Sequence, residues 1–253
     1  MIGIVLAAGK GTRLAPYTDA VAKEMLPVGE IPIIEYNLRY LERAGISKAF
    51  IVLGERKDQI LHYIRDGKRF KLKVAYLFQD AREGVGTAKA ISVAENWTND
   101  SFIVLYGDTF FHPGDFIKEL IDYHLKKRAV ATIGLYEVAN PERFGIVKLE
   151  NEKIVNIIEK PSKAEAKEYL VNEKYLANSG PLVFDSIIFD YIRKTKPAQN
   201  GEYQITDTIK LMIEDNLPVY GFKIPQDVFW RDIGTPESRL EADAYVLKHK
   251  NIL

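Results

Sequence analysis

The chain has no cysteine. Disulfides, thiolate zinc centres and cysteine nucleophiles are therefore excluded. An excess of charge of either sign is also missing, since 35 Lys and Arg balance 35 Asp and Glu. With no global field, neither nucleic acid nor an anionic membrane is an expected partner, and any anionic ligand has to be held by a local cluster. No apolar run is long enough to span a bilayer, and the opening MIGIVLAAG lacks the basic flank and the length of a secretion signal. A cytoplasmic protein is expected. Histidine is scarce, with four residues, none in a triad-like setting. Low-complexity linkers and internal repeats are absent. What remains is an ordinary globular composition, 47% hydrophobic and 28% charged over 253 residues.

In the first half, strand and helix patterns alternate. IGIVLAA (2–8) is a continuous apolar run, as in a strand buried on both faces. IPIIEYNLRYLERAG places Ile34, Leu38 and Leu41 on one helix face, with Gly45 as a C-terminal cap. Strands follow at 48–54, 72–78 and 101–108. They are separated by helical patterns in RKDQILHYIRDG and GTAKAISVAENW. Asp115 is placed to cap a helix carrying Ile117, Leu120, Ile121 and His124. Repeated βα units predict an α/β fold, a Rossmann-like, mostly parallel sheet flanked by helices.

After residue 128 the pattern changes. ATIGLYEV, GIVKLE and KIVNIIEK are closely spaced strands. SKAEAKEYL reads as helical, ANSGPLVF as a strand, 186–194 and 204–215 as helices, and PVYGFKI and DVFWRDIG as late strands. Pro181 removes a ladder N–H, so its strand is expected at a sheet edge. Thr235-Pro236 opens a last helix with Leu240, Ala244 and Leu247 on one face. One domain over 1–253 is expected, with 1–128 as a core and 129–253 as a smaller lobe with the last sheet elements.

The stretch VLAAGKGTRL (5–14) raises a choice among phosphate motifs. A dinucleotide fingerprint needs a third glycine where Leu14 stands, and the P-loop spacing fails. A strand, a flexible turn and Thr12-Arg13 remain. Turned backbone amides and a guanidinium suit a polyphosphate. On the loop alone, a plain βα turn with a surface arginine is an equal reading.

The longer string LAAGKGTRLAPYTDAVAKEMLPVGEIPII closely resembles the signature of the sugar-phosphate nucleotidyltransferases, in the glucose-1-phosphate thymidylyl- and uridylyltransferase branch. Ala8 stands where the family more often has glycine. The resemblance implies that Ala8, Gly9, Gly11, Thr12 and Arg13 wrap a nucleoside triphosphate, with Lys23 reaching a phosphate. FQDAREGVGTAKA resembles the base-recognition segment and implies Gln79, Gly86 and Thr87; a glutamine amide offers one donor and one acceptor to a pyrimidine. LYGDT differs from the family's L-G-D-N but keeps Asp108, implied as a metal ligand. FWRDIGTP matches W-x-D-x-G-T-P and implies Asp232 as the second. RFGIVKLE, IIEKPS and ANSGPLVF resemble the sugar side, implying Gly145, Glu159, Lys160 and Asn178.

The implied reaction joins a sugar 1-phosphate to a nucleoside triphosphate, with Mg²⁺ as cofactor and Arg13, Lys23, Lys160 and Asp108 as the catalytic set. The Glu159-Lys160 block and T-R-L-x-P-x-T favour glucose. Mannose 1-phosphate with GTP, phosphocholine with CTP and a non-catalytic regulatory subunit are the alternatives. A glycosyltransferase of similar fold would want D-x-D, which Asp108-Thr109-Phe110 does not provide. The chain stops at Leu253 without a hexapeptide-repeat tail, so a fused acyltransferase is not expected. The shorter C-terminus puts in doubt the regulatory nucleotide site and tetramer contacts of longer relatives; a homo-oligomer is compatible with the resemblance. Asp108 and Asp232 lie 124 positions apart. If both hold one metal, only the fold can bring them together.

Overall fold

Strand β1 (Ile2–Ala7) is buried along nearly its whole length, as its unbroken apolar run requires. In the computed structural model, which describes residues 1–249, it lies near the middle of the main sheet. Its neighbours β4 (Lys48–Leu53) and β6 (Phe102–Tyr106) run parallel to it, and β5 (Lys73–Phe78) runs parallel to β4. Between β1 and β4 come the short helix α1 (Tyr17–Ala20), the hairpin β2 (Pro27–Val28) and β3 (Ile31–Pro32), and helix α2 (Ile33–Arg43). Gly45 follows α2 at φ 82°, and its N–H donates to Glu42 O, which ends the helix as expected. Helix α3 (Asp58–Ile64) links β4 to β5, and α4 (Thr87–Ser92) leads toward β6. The helical pattern of 86–97 breaks after one and a half turns and resumes only as a 3-10 turn at Glu95–Trp97.

Beyond β6, strand β7 (Thr109–His112) leaves the main sheet, and α5 (Phe116–Lys127) returns the chain to β8 (Ala131–Val138). Asp115 precedes α5 but makes no side-chain cap. Its own backbone is already helical (φ −68°, ψ −22°), which is the wrong conformation for capping. Strands β9 (Gly145–Glu150) and β10 (Lys153–Glu159) form an antiparallel pair. SKAEAKEYL forms only a five-residue 3-10 helix, Glu165–Tyr169. Then come β11 (Tyr175–Phe184), α6 (Ile188–Lys194), α7 (Ile205–Glu214), β12 (Val219–Lys223), β13 (Phe229–Asp232) and α8 (Pro236–Lys248).

Among the described residues, nine strands form one sheet in the order β5-β4-β1-β6-β11-β8-β12-β10-β9. It is parallel from β5 to β6 and mixed beyond. One face packs on α2 and α5 through residues such as Leu38, Leu41, Ile117 and Leu120. The other packs on α4, α6 and α7 through Ile91, Phe189, Ile192 and Ile209. No helix among the described residues is long and apolar enough to cross a membrane.

Two further expectations are overturned. Strand β11 is not an edge: it lies between β6 and β8 and is buried throughout. Its register with β8 slips between Asn178 and Leu182, so Pro181 sits in the bulge, where no ladder N–H is needed. In α8, Leu240, Ala244 and Leu247 face solvent, while Ser238 and Ala242 are buried and Tyr245 and Val246 pack inward. A reciprocal capping box between Thr235 and Ser238 fixes the start of the helix. Gly29 of the β2–β3 turn then packs so tightly on Val246 that a Cβ there would lie 2.4 Å from its Cγ1.

Candidate active site

The site gathers where β1 and β6 end. The Tyr106-Gly107-Asp108 turn leaves β6 beside the glycine loop, and Gly107 N donates to Leu6 O at 2.9 Å. Open α/β sheets bind ligands beyond these carboxyl ends. Lys23 enters from a 3-10 turn, Lys23–Met25, and its Nζ donates to Asp108 Oδ2 at 2.5 Å. Burial opposes ionisation of Asp108, but the Lys23 charge and hydrogen bond outweigh it and hold the carboxyl below its ordinary range. Burial likewise works against the charge on Lys23. Asp108 and Glu24 together overcome it and keep the ammonium protonated.

Asp232 reaches the same place from the other end of the chain. Strand β13 pairs antiparallel with β7, which sets Asp232 opposite Thr109, and Ile233 N donates to Asp108 O at 2.7 Å. The two acids thus come together through one short ladder. Arg143 Nη2 donates to Asp232 Oδ2 at 3.1 Å and Oδ1 at 3.2 Å. A Cβ on Gly234 would lie 2.7 Å from Arg13 Nη2 and 3.0 Å from Asp232 Oδ2, so Arg13 and Asp232 converge over that glycine. Burial raises the Asp232 carboxyl above its ordinary value; Asp108 adds to this, while Arg143 and Arg13 act against it. Two hard carboxylates that feel each other's charge make a fitting partial shell for Mg²⁺, which takes one or two carboxylates and leaves room for phosphate oxygens. Among the described residues there is no cluster of three or more His, Cys, Asp or Glu, so a site of protein ligands alone is not formed.

The glycine loop lies against these groups. A Cβ on Gly9 would meet Lys23 Nζ at 3.2 Å. Gly11, at φ 72°, turns the chain, and its carbonyl accepts from Thr18 Oγ1 at 2.9 Å. Thr12 and Arg13 are exposed on the turn that follows. The Ala8 carbonyl touches Gly54, where a Cβ would approach to 2.6 Å. Gln79 follows β5 directly, and its Nε2 donates to Gly84 O at 3.2 Å, so the amide holds its own loop. Gly86, at φ 108°, packs on the backbone of Tyr203, where a Cβ would lie 2.5 Å from O and 2.6 Å from N. Thr87 Oγ1 accepts from Ile205 N at 2.9 Å, tying this loop to the start of α7.

On the opposite side, Gly145 and Glu159 are cross-strand partners in β9 and β10. Glu159 Oε2 accepts from Thr206 Oγ1 at 2.6 Å, and Lys160 Nζ lies 3.2 Å from Glu159 Oε1. Asn178 Oδ1 accepts from Gly180 N at 3.1 Å within the β11 bulge. Tyr106 lies between the two ends. Burial raises its phenol, and the charges of Glu159 and Asp108 reinforce that shift. The residues singled out in the sequence therefore fall into groups: Arg13, Lys23, Asp108 and Asp232 with the glycine loop, Gly86 and Thr87 against the start of α7, and Gly145, Glu159 and Lys160, with Tyr106 feeling the charge of both Asp108 and Glu159. Arg143, Tyr106 and Thr206 were missed. Arg143 stands two positions before Gly145, and Thr206 in GEYQITD, where only a helix start was read.

A nucleotidyl transferase family model matches residues 2–249. The chain belongs to the nucleotidyl transferase family. It is 32% identical over 250 residues to the bifunctional protein GlmU of Methanococcus vannielii, covering 98% of this chain and 56% of that protein. It spans about half the length of the GlmU relatives it matches. It is also 32% identical over 258 residues to the glucose-1-phosphate thymidylyltransferase of Neisseria meningitidis serogroup A, covering all of this chain and 84% of that one. A UDP-glucose pyrophosphorylase solved with UDP-glucose superposes with a TM-score of 0.82 at 26% identity, covering 98% of this chain and 99% of the other. The α/β fold of this nucleotidyltransferase family member is therefore that of the nucleotide-diphospho-sugar transferases.

Proposed function

We propose that the protein transfers a nucleotidyl group from dTTP or UTP to glucose 1-phosphate, giving dTDP- or UDP-glucose and pyrophosphate. The observation that carries the reading is the meeting of Asp108 and Asp232 beside Lys23 and Arg13. The choice of sugar rests on the relatives named for glucose 1-phosphate and UDP-glucose.

Both reactants are anions, and their repulsion is the first barrier. Arg13 and Lys23, with the amides of the glycine loop, receive the triphosphate. Lys160 receives the sugar phosphate, and Glu159, already oriented by Thr206, accepts hydrogen bonds from sugar hydroxyls. With its Nε2 held by Gly84 O, Gln79 presents Oε1 as the acceptor for the base. Asp108 and Asp232 would hold Mg²⁺, which when bound supplies charge neutralisation at the α-phosphate and at the leaving pyrophosphate. The nucleophile is a sugar-phosphate oxygen already ionised at neutral pH, so no protein base or covalent intermediate is needed. Holding the two substrates in line lowers the barrier by about 7–11 kcal/mol in favourable cases.

The test supplies Mg²⁺, glucose 1-phosphate and each nucleoside triphosphate in turn, and measures pyrophosphate. Release is expected with dTTP or UTP and is expected to stop when the metal is chelated. Release only with another sugar phosphate would move the assignment within the family, and no release with any pair would remove it.

A further inference from the structure

Beneath Lys23 lies a second ion pair that the proposed chemistry does not call for. Lys57 Nζ donates to Glu24 Oε2 at 2.6 Å, with the two side chains only 4% and 0% exposed. Glu24 Oε1 is also buried, and has no hydrogen-bond partner among the described residues. Burying two charges is costly, and an unpartnered carboxylate oxygen adds to that cost. An apolar pair of similar size would fill the space at least as well, so stability alone does not explain the arrangement.

The surroundings suggest what does. Lys57 belongs to a run, 56–59, that grips the segment leading to Lys23. Arg56 Nη2 donates to Asp19 O at 2.7 Å. Gln59 Nε2 donates to Ala20 O, and Gln59 Oε1 accepts from Ala22 N, both at 3.0 Å. Glu24 follows Lys23 directly in sequence. It packs beneath Gly107, where a Cβ would lie 3.1 Å from Glu24 Cγ, so the carboxylate sits under the turn that carries Asp108. Lys57, Glu24, Lys23 and Asp108 form a row of alternating charge running from the interior to the cleft.

We propose that Glu24 and Lys57, with Gln59, form a positioning clamp that fixes Lys23 toward the polyphosphate. The clamp touches no substrate and acts through Lys23; this rests on the nucleotidyl-transfer reading above. A lysine stem carries large rotamer entropy, and fixing its base and surroundings before the ligand arrives leaves less to lose on binding. The clamp therefore acts on triphosphate and pyrophosphate affinity and not on the sugar side.

The test compares the full-length wild type with Glu24→Gln and with the double variant Glu24→Leu, Lys57→Met. Thermal melting, calorimetric binding of inorganic pyrophosphate with Mg²⁺, and the KM for each substrate are measured. The double variant is expected to melt close to wild type yet bind pyrophosphate about tenfold more weakly. Its KM for the triphosphate should rise to match, with the sugar-phosphate KM within about twofold. Glu24→Gln should show the same split. If the double variant does not fold, Gln59→Ala carries the test, with about threefold weaker pyrophosphate binding expected. Folded variants with wild-type pyrophosphate affinity and triphosphate KM would overturn the clamp. A wild type that neither binds pyrophosphate nor turns over would instead overturn the reading on which it rests.

Discussion

The two ends of the candidate site are built on different terms. At the end proposed for the triphosphate, Lys23 and Asp108 are each 17% exposed and joined at 2.5 Å, with a buried pair beneath them. At the end proposed for the sugar phosphate, Lys160 is 51% exposed and only loosely paired with Glu159. The first end carries its charges in place, partly desolvated, before a ligand arrives. The second is more open to solvent. Single substitutions that strand a buried charge at the first end should therefore disturb folding and binding together, and substitutions at the second end binding alone.

The largest test of this contrast removes the acids. Asp108→Asn and Asp232→Asn should each lower kcat by at least about a hundredfold in a pyrophosphate-release assay. Near-normal turnover in both would separate the acids from the chemistry. Next comes the joint between the ends. Gly86→Ala forces a Cβ against the Tyr203 backbone at a positive φ, and should destabilise the protein by about 2–4 kcal/mol in urea titration. A change below about 0.5 kcal/mol would mean that the Gly86 loop and α7 are not rigidly joined. At the open end, Lys160→Ala should raise the KM for the sugar phosphate about tenfold while leaving the melting temperature and the triphosphate KM nearly unchanged. A matching loss of stability would contradict the contrast.

The smallest effect sharpens it through sign. The folded Asp108 carboxyl ionises below its ordinary value of 3.8. Its contribution to stability is complete above that pH and is lost as pH falls through the lower native value. Asp232 is shifted the other way from the same 3.8. Its cost to folding grows as pH rises from 3.8 to the raised native value, is complete above that value, and is absent well below 3.8. Near neutral pH without metal, Asp108→Asn should lower the melting temperature, by about 1–3 kcal/mol in stability, because it strips Lys23 of its partner. Asp232→Asn should leave it unchanged or raise it. Differential scanning calorimetry reads both, and like-signed shifts would remove the distinction between the two acids.

Much of this architecture is legible in local pattern. Continuous apolar runs mark β1, β4 and β6, Gly45 marks the end of α2, and Thr235-Pro236 marks the start of α8. The illegible parts depend on partners distant in sequence. Pro181 looks like an edge signal until the β11 bulge gives its missing N–H nowhere to matter. Leu240, Ala244 and Leu247 form an acceptable apolar stripe, but tight packing against Gly29 puts the opposite face of α8 inward. Glu24 reads as one more charge in KEMLP, because its partner Lys57 lies 33 positions away.

The sequence by itself determined the element order of the parallel half and, through its resemblance to a family signature, which residues were expected to converge. Those features rest on short-range periodicity, turn chemistry and motif spacing, which act within a few residues. Only the tertiary structure decided that β13 pairs with β7 and so carries Asp232 to Asp108, that Arg143 bonds to Asp232, and that a buried ion pair underlies Lys23. These are contacts between segments tens to more than a hundred residues apart, fixed by sheet register and packing, which no local pattern encodes.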